Sequence, residues 1–243
     1  MEETTAGFAH EIDFWKWFVK SDRFLHNWVF PEQNPEIRAN HPDVAKCFDD
    51  FEAGWQEDHP IMILDVGSGA LPWIKGILGT KGLVIPCDPL ADEYQKIFDY
   101  DKFSEDAPIK AFAEDLPFDD NSFDIVHCSN ALDHTQNPYK AILEMERVCR
   151  PGGMILIQGV ENEATKQGWK GLHQWNIAVR KTRPLDVQDS EMQDVMVVLG
   201  KDNQGFIHHA KSAKDVIYAS TRNIAEGAHA ERNWFVFAYK NAK

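Results

Sequence analysis

The stretch Ile63-Leu64-Asp65-Val66-Gly67-Ser68-Gly69-Ala70-Leu71-Pro72-Trp73 decides the fold. Residues 61–66, IMILDV, are apolar enough for a strand buried on both faces, and the run closes on an acid. Two glycines around Ser68 then let the backbone turn sharply and come close to a ligand. A glycine turn after a strand serves several cofactor classes, so the flanking chain has to choose among them.

Downstream, short apolar runs recur at LVIPC (83–87), IKAFA (109–113, the weakest), FDIVHCS (123–129) and MILIQGV (154–160). A helix is predicted between the last two. Asn137 caps it, Pro138 suits its first turn, and Ile142, Met145, Val148 and Cys149 form an apolar ridge. Arg150-Pro151-Gly152-Gly153 stops it. Strands alternating with helices predict βαβ units, hence an α/β, Rossmann-like, doubly wound and mostly parallel sheet with helices on both faces. VMVVLG (195–200), DVIYAS (215–220) and NWFVFAYK (233–240) read as the far side of that sheet, antiparallel at its edge. Residues 161–190 show little periodicity and read as a substrate loop.

Upstream, residues 1–58 read as an N-terminal helical extension, a cap or lid before a main domain over 59–243. Ile12, Trp15, Phe18 and Val19 share one helical face, and Val44, Cys47, Phe48, Phe51 and Trp55 resume the pattern after breaks at Pro31 and Pro35. Eleven of the 28 aromatic residues lie in the first 55 positions, enough to pack a core and to exclude water from a site beneath.

The 243 residues carry a net charge of −14 with no Lys/Arg run, which argues against nucleic acid or an anionic membrane as a partner. Cys47, Cys87, Cys128 and Cys149 have no metal or redox spacing and read as reduced, mostly buried thiols. The acidic first residues do not form a signal peptide, and no apolar run reaches the ~18 residues of a membrane span. A soluble, cytoplasmic protein is the expectation.

In a doubly wound sheet, ligands bind beyond the carboxyl ends of the strands. Gly67-Ser68-Gly69 follows the first strand. Asp88, with Pro89 beside it, follows the second, nineteen residues past Gly69, where a carboxylate accepts bonds from both ribose hydroxyls. Glu114-Asp115-Leu116-Pro117-Phe118 offers a polar edge and an apolar wall for an adenine. Ser129 to His134 lines the reacting end.

These elements, ILDVGSG, VIPCDPL, AEDLPFDDNSFDIVHCSNALDH and ILEMERVCRPGGMILI, resemble class I S-adenosylmethionine-dependent methyltransferases of the ubiquinone-biosynthesis type over about 100 residues (61–160). The resemblance implies a seven-stranded sheet, S-adenosylmethionine as cofactor and S-adenosylhomocysteine as product. It implies that Gly67, Ser68 and Gly69 approach the methionine and ribose, and that Asp65 orients the turn or the cofactor's amino group. Asp88 then holds the ribose, Ala113, Glu114 and Asp115 surround the adenine, and Ser129 and Asn130 pass under the methionine. Two positions depart from the pattern: Leu71 replaces a frequent third glycine, and Phe112 replaces a frequent acid. A nicotinamide enzyme is disfavoured because Pro72 stands at the third glycine of G-x-G-x-x-G. A binding protein that keeps the pocket without turnover stays open.

The expected acceptor is a small molecule, a sugar or natural-product-like metabolite methylated at a hydroxyl. A hydroxyl must lose its proton, so His134 and His173 are the candidate bases. Leu172, Trp175 and Ile177 among His173, Gln174 and Asn176 read as a stacking and hydrogen-bonding pocket wall. No metal is expected, since Asp133 and His134 are chain neighbours, which rarely face one ion.

Overall fold

A computed structural model describes residues 2–25, 29, 36–78, 82–103, 105–182, 192–210, 215–224 and 232–242. The expected breaks at Pro31 and Pro35, and residues 183–190 of the expected substrate loop, lie outside the described residues. Helices are α1 (Glu2–Phe18), α2 (Asp22–Phe24), α3 (Glu36–Asn40), α4 (Pro42–Ala53), α5 (Lys75–Leu78), α6 (Ala91–Tyr94), α7 (Tyr100–Phe103), α8 (Pro138–Val148) and α9 (Glu163–Lys166). Strands are β1 (Ile61–Val66), β2 (Gly82–Cys87), β3 (Phe123–Ser129), β4 (Cys149–Val160), β5 (Trp175–Thr182), β6 (Gln193–Gly200), β7 (Gly205–His208), β8 (Val216–Ile224) and β9 (Arg232–Lys240).

The main sheet runs β2-β1-β3-β4-β9-β8. The first four strands are parallel, and β9 and β8 close the far edge antiparallel. From β1 the chain moves outward to β2 and then returns to β3 on the other side, so the switch point lies between β1 and β3, where a crevice opens. Side chains alternate along each strand. Leu64, Val66, Val126 and Ile155 face one core, packed on Ala141, Ile142, Met145 and Val148 of α8. Ile61, Ile63, Ile125 and Leu156 face the other, packed on Val44, Cys47 and Phe48 of α4 and on Ile74 and Ile77.

The sheet has six strands among the described residues, not seven. Residues 195–200 belong to a separate antiparallel sheet, β5-β6-β7, whose Ile177, Val179, Met196 and Val198 cover the same face as α8. Residues 109–113 form only isolated bridges, Cys87 with Ile109 and Phe112 with Asp115. β2 ends at Cys87, so nothing remains beyond Asp88 for 112 and 113 to pair with. The aperiodic stretch from 161 holds a short helix and strand β5, a local order that its irregular polarity concealed.

The α8 expectation holds at its start and along its ridge: Asn137 Oδ1 accepts from the Lys140 amide, Pro138 opens the first turn, and Ile142, Met145 and Val148 are buried, but the helix ends at Val148, because Cys149 is already extended and β4 runs through Arg150-Pro151-Gly152-Gly153. The helix also clamps the loop after residue 113. Arg147 donates to the carbonyls of Leu116 and Phe118, each at 2.8 Å, and Glu144 Oε2 accepts from the Leu116 amide at 3.0 Å. Arg147→Ala is therefore expected to cost on the order of 2 kcal/mol in urea unfolding, since charged donors to several carbonyls vanish at once. Glu144→Gln, which keeps an acceptor, should cost less.

Residues 1–58 divide between two cores. Trp15 and Phe18 of α1, with Val19 and Phe24, pack on Ala70, Leu71, Leu90 and Tyr94. α4 instead joins the sheet face described above. Leu71, one of the two departures from the expected pattern, is fully buried in the α1 cluster. All four cysteines are free and buried, and burial pushes the Cys47 and Cys149 thiols up to about 12.

Candidate active site

A cavity of about 1290 Å³ opens over the carboxyl ends of β1 to β4. A typical small-molecule pocket holds ~300–1,000 Å³, so this one accommodates more than one ligand. It is lined by Asp65, Gly67, Ser68 and Gly69, by Asp88 and Pro89, by Ala113 and Glu114, and by Ser129 and Asn130. Asp133, His134 and His173 complete one wall.

The glycine turn is tied to β2, since the amides of Gly67 and Ser68 donate to the Cys87 carbonyl at 2.9 and 3.1 Å. Gly67 and Gly69 have φ of 69° and 67°, the left-handed region that glycine reaches without strain. The Gly69 amide donates to Asp88 Oδ2 at 3.0 Å and the Leu90 amide to Asp88 Oδ1 at 2.8 Å. Burial nonetheless pushes the Asp88 carboxyl up to about 6, against those two bonds, with the Glu11 charge adding to the rise. Gly69 is packed from outside by α1: a Cβ there would lie 2.1 Å from Trp15 Cζ2. Its closest approach is thus to an indole. The helix after the turn is short and begins only at Lys75.

Beneath the turn lies a buried polar chain that the strand patterns concealed. Trp234 Nε1 donates to Gln158 Oε1 at 3.1 Å, which turns the amide nitrogen toward His127 Nε2 at 2.8 Å. That nitrogen accepts, so His127 Nδ1 carries the proton and donates to Asp65 Oδ1 at 2.6 Å. Asp65 Oδ2 is buried without a hydrogen-bond partner, and Asp65 lines the cavity. An orphaned carboxylate oxygen there is costly unless a ligand's cationic group meets it. With the glycine turn lining the same cavity, it makes the site fit an amino-acid-bearing nucleoside. The signal for His127 was present in the sequence: Asp65 and His127 are polar residues inside apolar strands, and they pair in register across β1 and β3.

The purine assignments fare unevenly. Glu114 Oε1 accepts from the amides of Gln136 and Asn137 at 2.7 and 3.1 Å, tying down the loop before α8. Asp115 is exposed and outside the cavity lining, so it does not surround the cavity as expected. Asn130 lines the cavity but spends its Oδ1 on the Val160 amide at 3.0 Å, holding the ends of β3 and β4 together.

At the other end, Asp133 and His134 sit on a 3₁₀ turn over Leu132–His134. The tight turn aims both side chains at one place, contrary to the expectation for chain neighbours. The backbone bond from Gln174 N to Asp133 O, 2.9 Å, brings His173 to the same place. His173 Nδ1 lies 2.7 Å from Asp133 Oδ2 and 3.1 Å from His134 Nε2. Burial pulls the His173 imidazole down, but the bond and charge of Asp133, with Glu163 and Glu11 farther off, hold it above its ordinary value. Of the expected pocket wall at 172–177, only Leu172 and His173 line the cavity. Trp175 and Ile177 pack into the core because β5 turns them onto the sheet. The aromatic wall is instead Trp73 and Trp234, with His41 between them at ring distances of 4.8 and 5.7 Å. Burial, aided by Arg222, lowers His41 to about 4, so it is neutral and behaves as a flat, weakly polar ring.

A strand-end glycine turn, an acid after β2 and a cavity at the switch point define a nucleoside-binding α/β domain. Residues 64–157 match a family described as a methyltransferase domain. The chain is 33% identical over 102 residues to the ubiquinone/menaquinone biosynthesis C-methyltransferase UbiE of Hahella chejuensis, covering 39% of this chain and 41% of that one. It is 26% identical over 142 residues to an uncharacterized methyltransferase of Mycobacterium tuberculosis, covering 57% and 56%. The match thus spans less than two thirds of the length of these curated relatives. A solved S-adenosylmethionine-dependent methyltransferase of Aquifex aeolicus aligns with 95% of this chain and 96% of its own at 15% identity and a TM-score of 0.45. Over residues 64–157, the stretch that carries the glycine turn, Asp88 and the end of β3, the chain is thus similar to methyltransferase domains. Among the described residues no helix is long and apolar enough to cross a membrane.

Proposed function

We propose that this protein moves a methyl group from S-adenosylmethionine to a hydroxyl oxygen of a small-molecule acceptor, a sugar or natural-product-like metabolite, leaving S-adenosylhomocysteine. The sulfonium supplies an already activated methyl, so the chain's work is alignment, water exclusion and disposal of one proton. Asp88 and the glycine turn hold the ribose, and Asp65 meets the amino group. Ala113, Pro89 and the Leu90 side flank the purine, with Ser129 and Asn130 beneath the methionine. Trp15 and Phe8 of α1 roof the cofactor half of the cavity. The Asp133–His134–His173 cluster meets the acceptor hydroxyl, and Trp73 and Trp234 flank the acceptor's flat or apolar part.

The observation that carries this reading is the single cavity, which holds the cofactor-type strand ends and a proton-accepting cluster together and exceeds the needs of one ligand. Calorimetry with S-adenosylhomocysteine is expected to give one site with micromolar affinity. Incubation of the cofactor with hydroxylated acceptor panels should give a product heavier by one CH2, and NMR then reads whether oxygen or carbon received it. Absence of binding by either form of the cofactor sinks the proposal, and binding without methyl consumption across the panel points to a regulatory pocket.

A further inference from the structure

The Asp133–His134–His173 cluster is more than a hydrogen-bonded pair of rings. Asp133 Oδ2, His134 Nε2 and His173 Nδ1 form a triangle with sides of 2.7, 3.1 and 3.6 Å. Protons alone cannot satisfy its three edges. If His173 Nδ1 donates to Asp133, its one hydrogen is spent at 2.7 Å, and the His134 nitrogen is left 3.1 Å from that same donor. His134 Nε2 then faces the carboxylate at 3.6 Å, too far for a hydrogen bond of its own. Three ligand-type atoms converge on one point with one good hydrogen bond among them, and loss of the His173 proton would leave three lone pairs facing it.

We infer that Asp133, His134 and His173 form a binding site for a divalent first-row cation at the acceptor end of the cavity. The inference rests on the methyl-transfer reading only for the role of the site. A circle through the three atoms has a radius of about 1.9 Å, so a point about 1 Å off their plane lies about 2.1 Å from each, the length of a zinc–nitrogen or zinc–oxygen bond. Ligand edges near 3 Å are those of three facial positions on one ion. Two imidazoles and one carboxylate suit zinc or iron(II) rather than magnesium or calcium.

The ligands are preorganised. Asp133 and His134 share the 3₁₀ turn, and the Gln174–Asp133 backbone bond and the Trp175 Nε1 bond to the Thr135 carbonyl, 2.8 Å, fix the segment carrying His173 against it. Glu11 and Glu163 also line the cavity and add negative potential where a dication would sit. All three ligands come from one wall, so the ion's remaining positions belong to water or to the acceptor. An acceptor hydroxyl bound there loses its proton to solvent more readily, its oxygen forms the new bond to the methyl carbon, and the carbon–sulfur bond breaks to leave a neutral thioether.

The test uses the tag-free full chain after chelator dialysis, titrated with ZnCl2 by calorimetry, and with CoCl2 by visible absorption. One zinc per chain is expected, with a cobalt spectrum showing nitrogen coordination. Asp133→Asn and His173→Gln are each expected to lower zinc affinity on the order of 100-fold. His59→Ala, before the opposite end of β1, should leave it unchanged. S-adenosylhomocysteine binding by each variant separates loss of the ion from loss of the fold, and His134→Gln completes the set of ligand variants. Failure of the wild type to take up zinc at ~100 μM, or wild-type zinc affinity in the three cluster variants, overturns the site and leaves a histidine base. If zinc binds while S-adenosylhomocysteine does not, the cation site stands and the methyltransferase reading fails.

Discussion

Asp88→Asn is expected to weaken S-adenosylhomocysteine binding on the order of 100-fold, because two bonds from ribose hydroxyls to a charged acceptor, at ~1.5–3 kcal/mol each, lose their charge. The wild type carries a second signature. The Asp88 carboxyl sits at about 6 in the ligand-free protein, raised by burial with the Glu11 charge adding to it, while the Leu90 and Gly69 amides and Tyr94 pull it down. Hydroxyl donors favour the ionised form, so affinity is full above that value and falls as pH drops through it, by about tenfold at pH 5. Asp88→Asn should be flat across that range. For the empty protein the sign is opposite. A carboxyl raised in the folded state contributes stability that is fully present below its unfolded value of 3.8 and is lost as pH rises through about 6. Cofactor binding and fold stability should therefore move in opposite directions between pH 4 and 6. Calorimetry and thermal melts on the same samples read both. A pH-independent affinity in the wild type removes Asp88 from the ribose.

How much of this was legible before the structure depends on whether each signal is local. Gly67, Gly69 and Asp88 follow from apolar runs that end abruptly in a turn, and Asp65 from an acid standing inside such a run, where a buried carboxylate needs a partner. The start of α8 follows from Asn137 and Pro138 for the same local reason, whereas its end at Val148 comes before the expected stop because β4 begins at Cys149. What failed was tertiary. Residues 193–200 have the texture of a sheet strand whichever sheet they join, and only their pairing with 175–182 decides that. Glu114 reads as a polar edge for a purine until the loop at 136 and 137 folds back and takes its carboxylate. Asp133 and His134 were set aside as metal ligands because neighbours usually diverge. The 3₁₀ turn that makes them converge, and the 40-residue separation of His173 from Asp133, leave no trace in spacing. Trp15 is the clearest case: its helical stripe predicts burial, but not against the glycine turn 54 positions away.

That contact leads to the second large effect. Gly69→Ala puts a methyl 2.1 Å from Trp15 Cζ2 and 2.5 Å from Cη2, at a φ of 67° that an alanine already resists. One of the two has to yield. The turn is held by the Gly69–Asp88 bond and by β2, so the indole is the softer partner. Trp15 packs on Phe18, Phe24 and Tyr94 and donates to Glu11 at 3.0 Å, so its displacement undoes the α1 cluster and not one contact. The expected cost is on the order of 3–5 kcal/mol in denaturant unfolding, the scale of losing a buried aromatic. A backbone-strain account and a clash account separate in a double-mutant cycle. Strain at φ adds to any change at Trp15, whereas a clash disappears when the indole is gone. Trp15→Ala alone loses its packing, and Gly69→Ala on that background is then expected to cost only ~1 kcal/mol, the strain of the left-handed backbone. Full additivity would show that α1 does not rest on the turn. Strong coupling makes the glycine a seat for the roofing helix, so that cofactor affinity and α1 packing fall together in Gly69→Ala while the chemistry at Asp133, His134 and His173 is untouched.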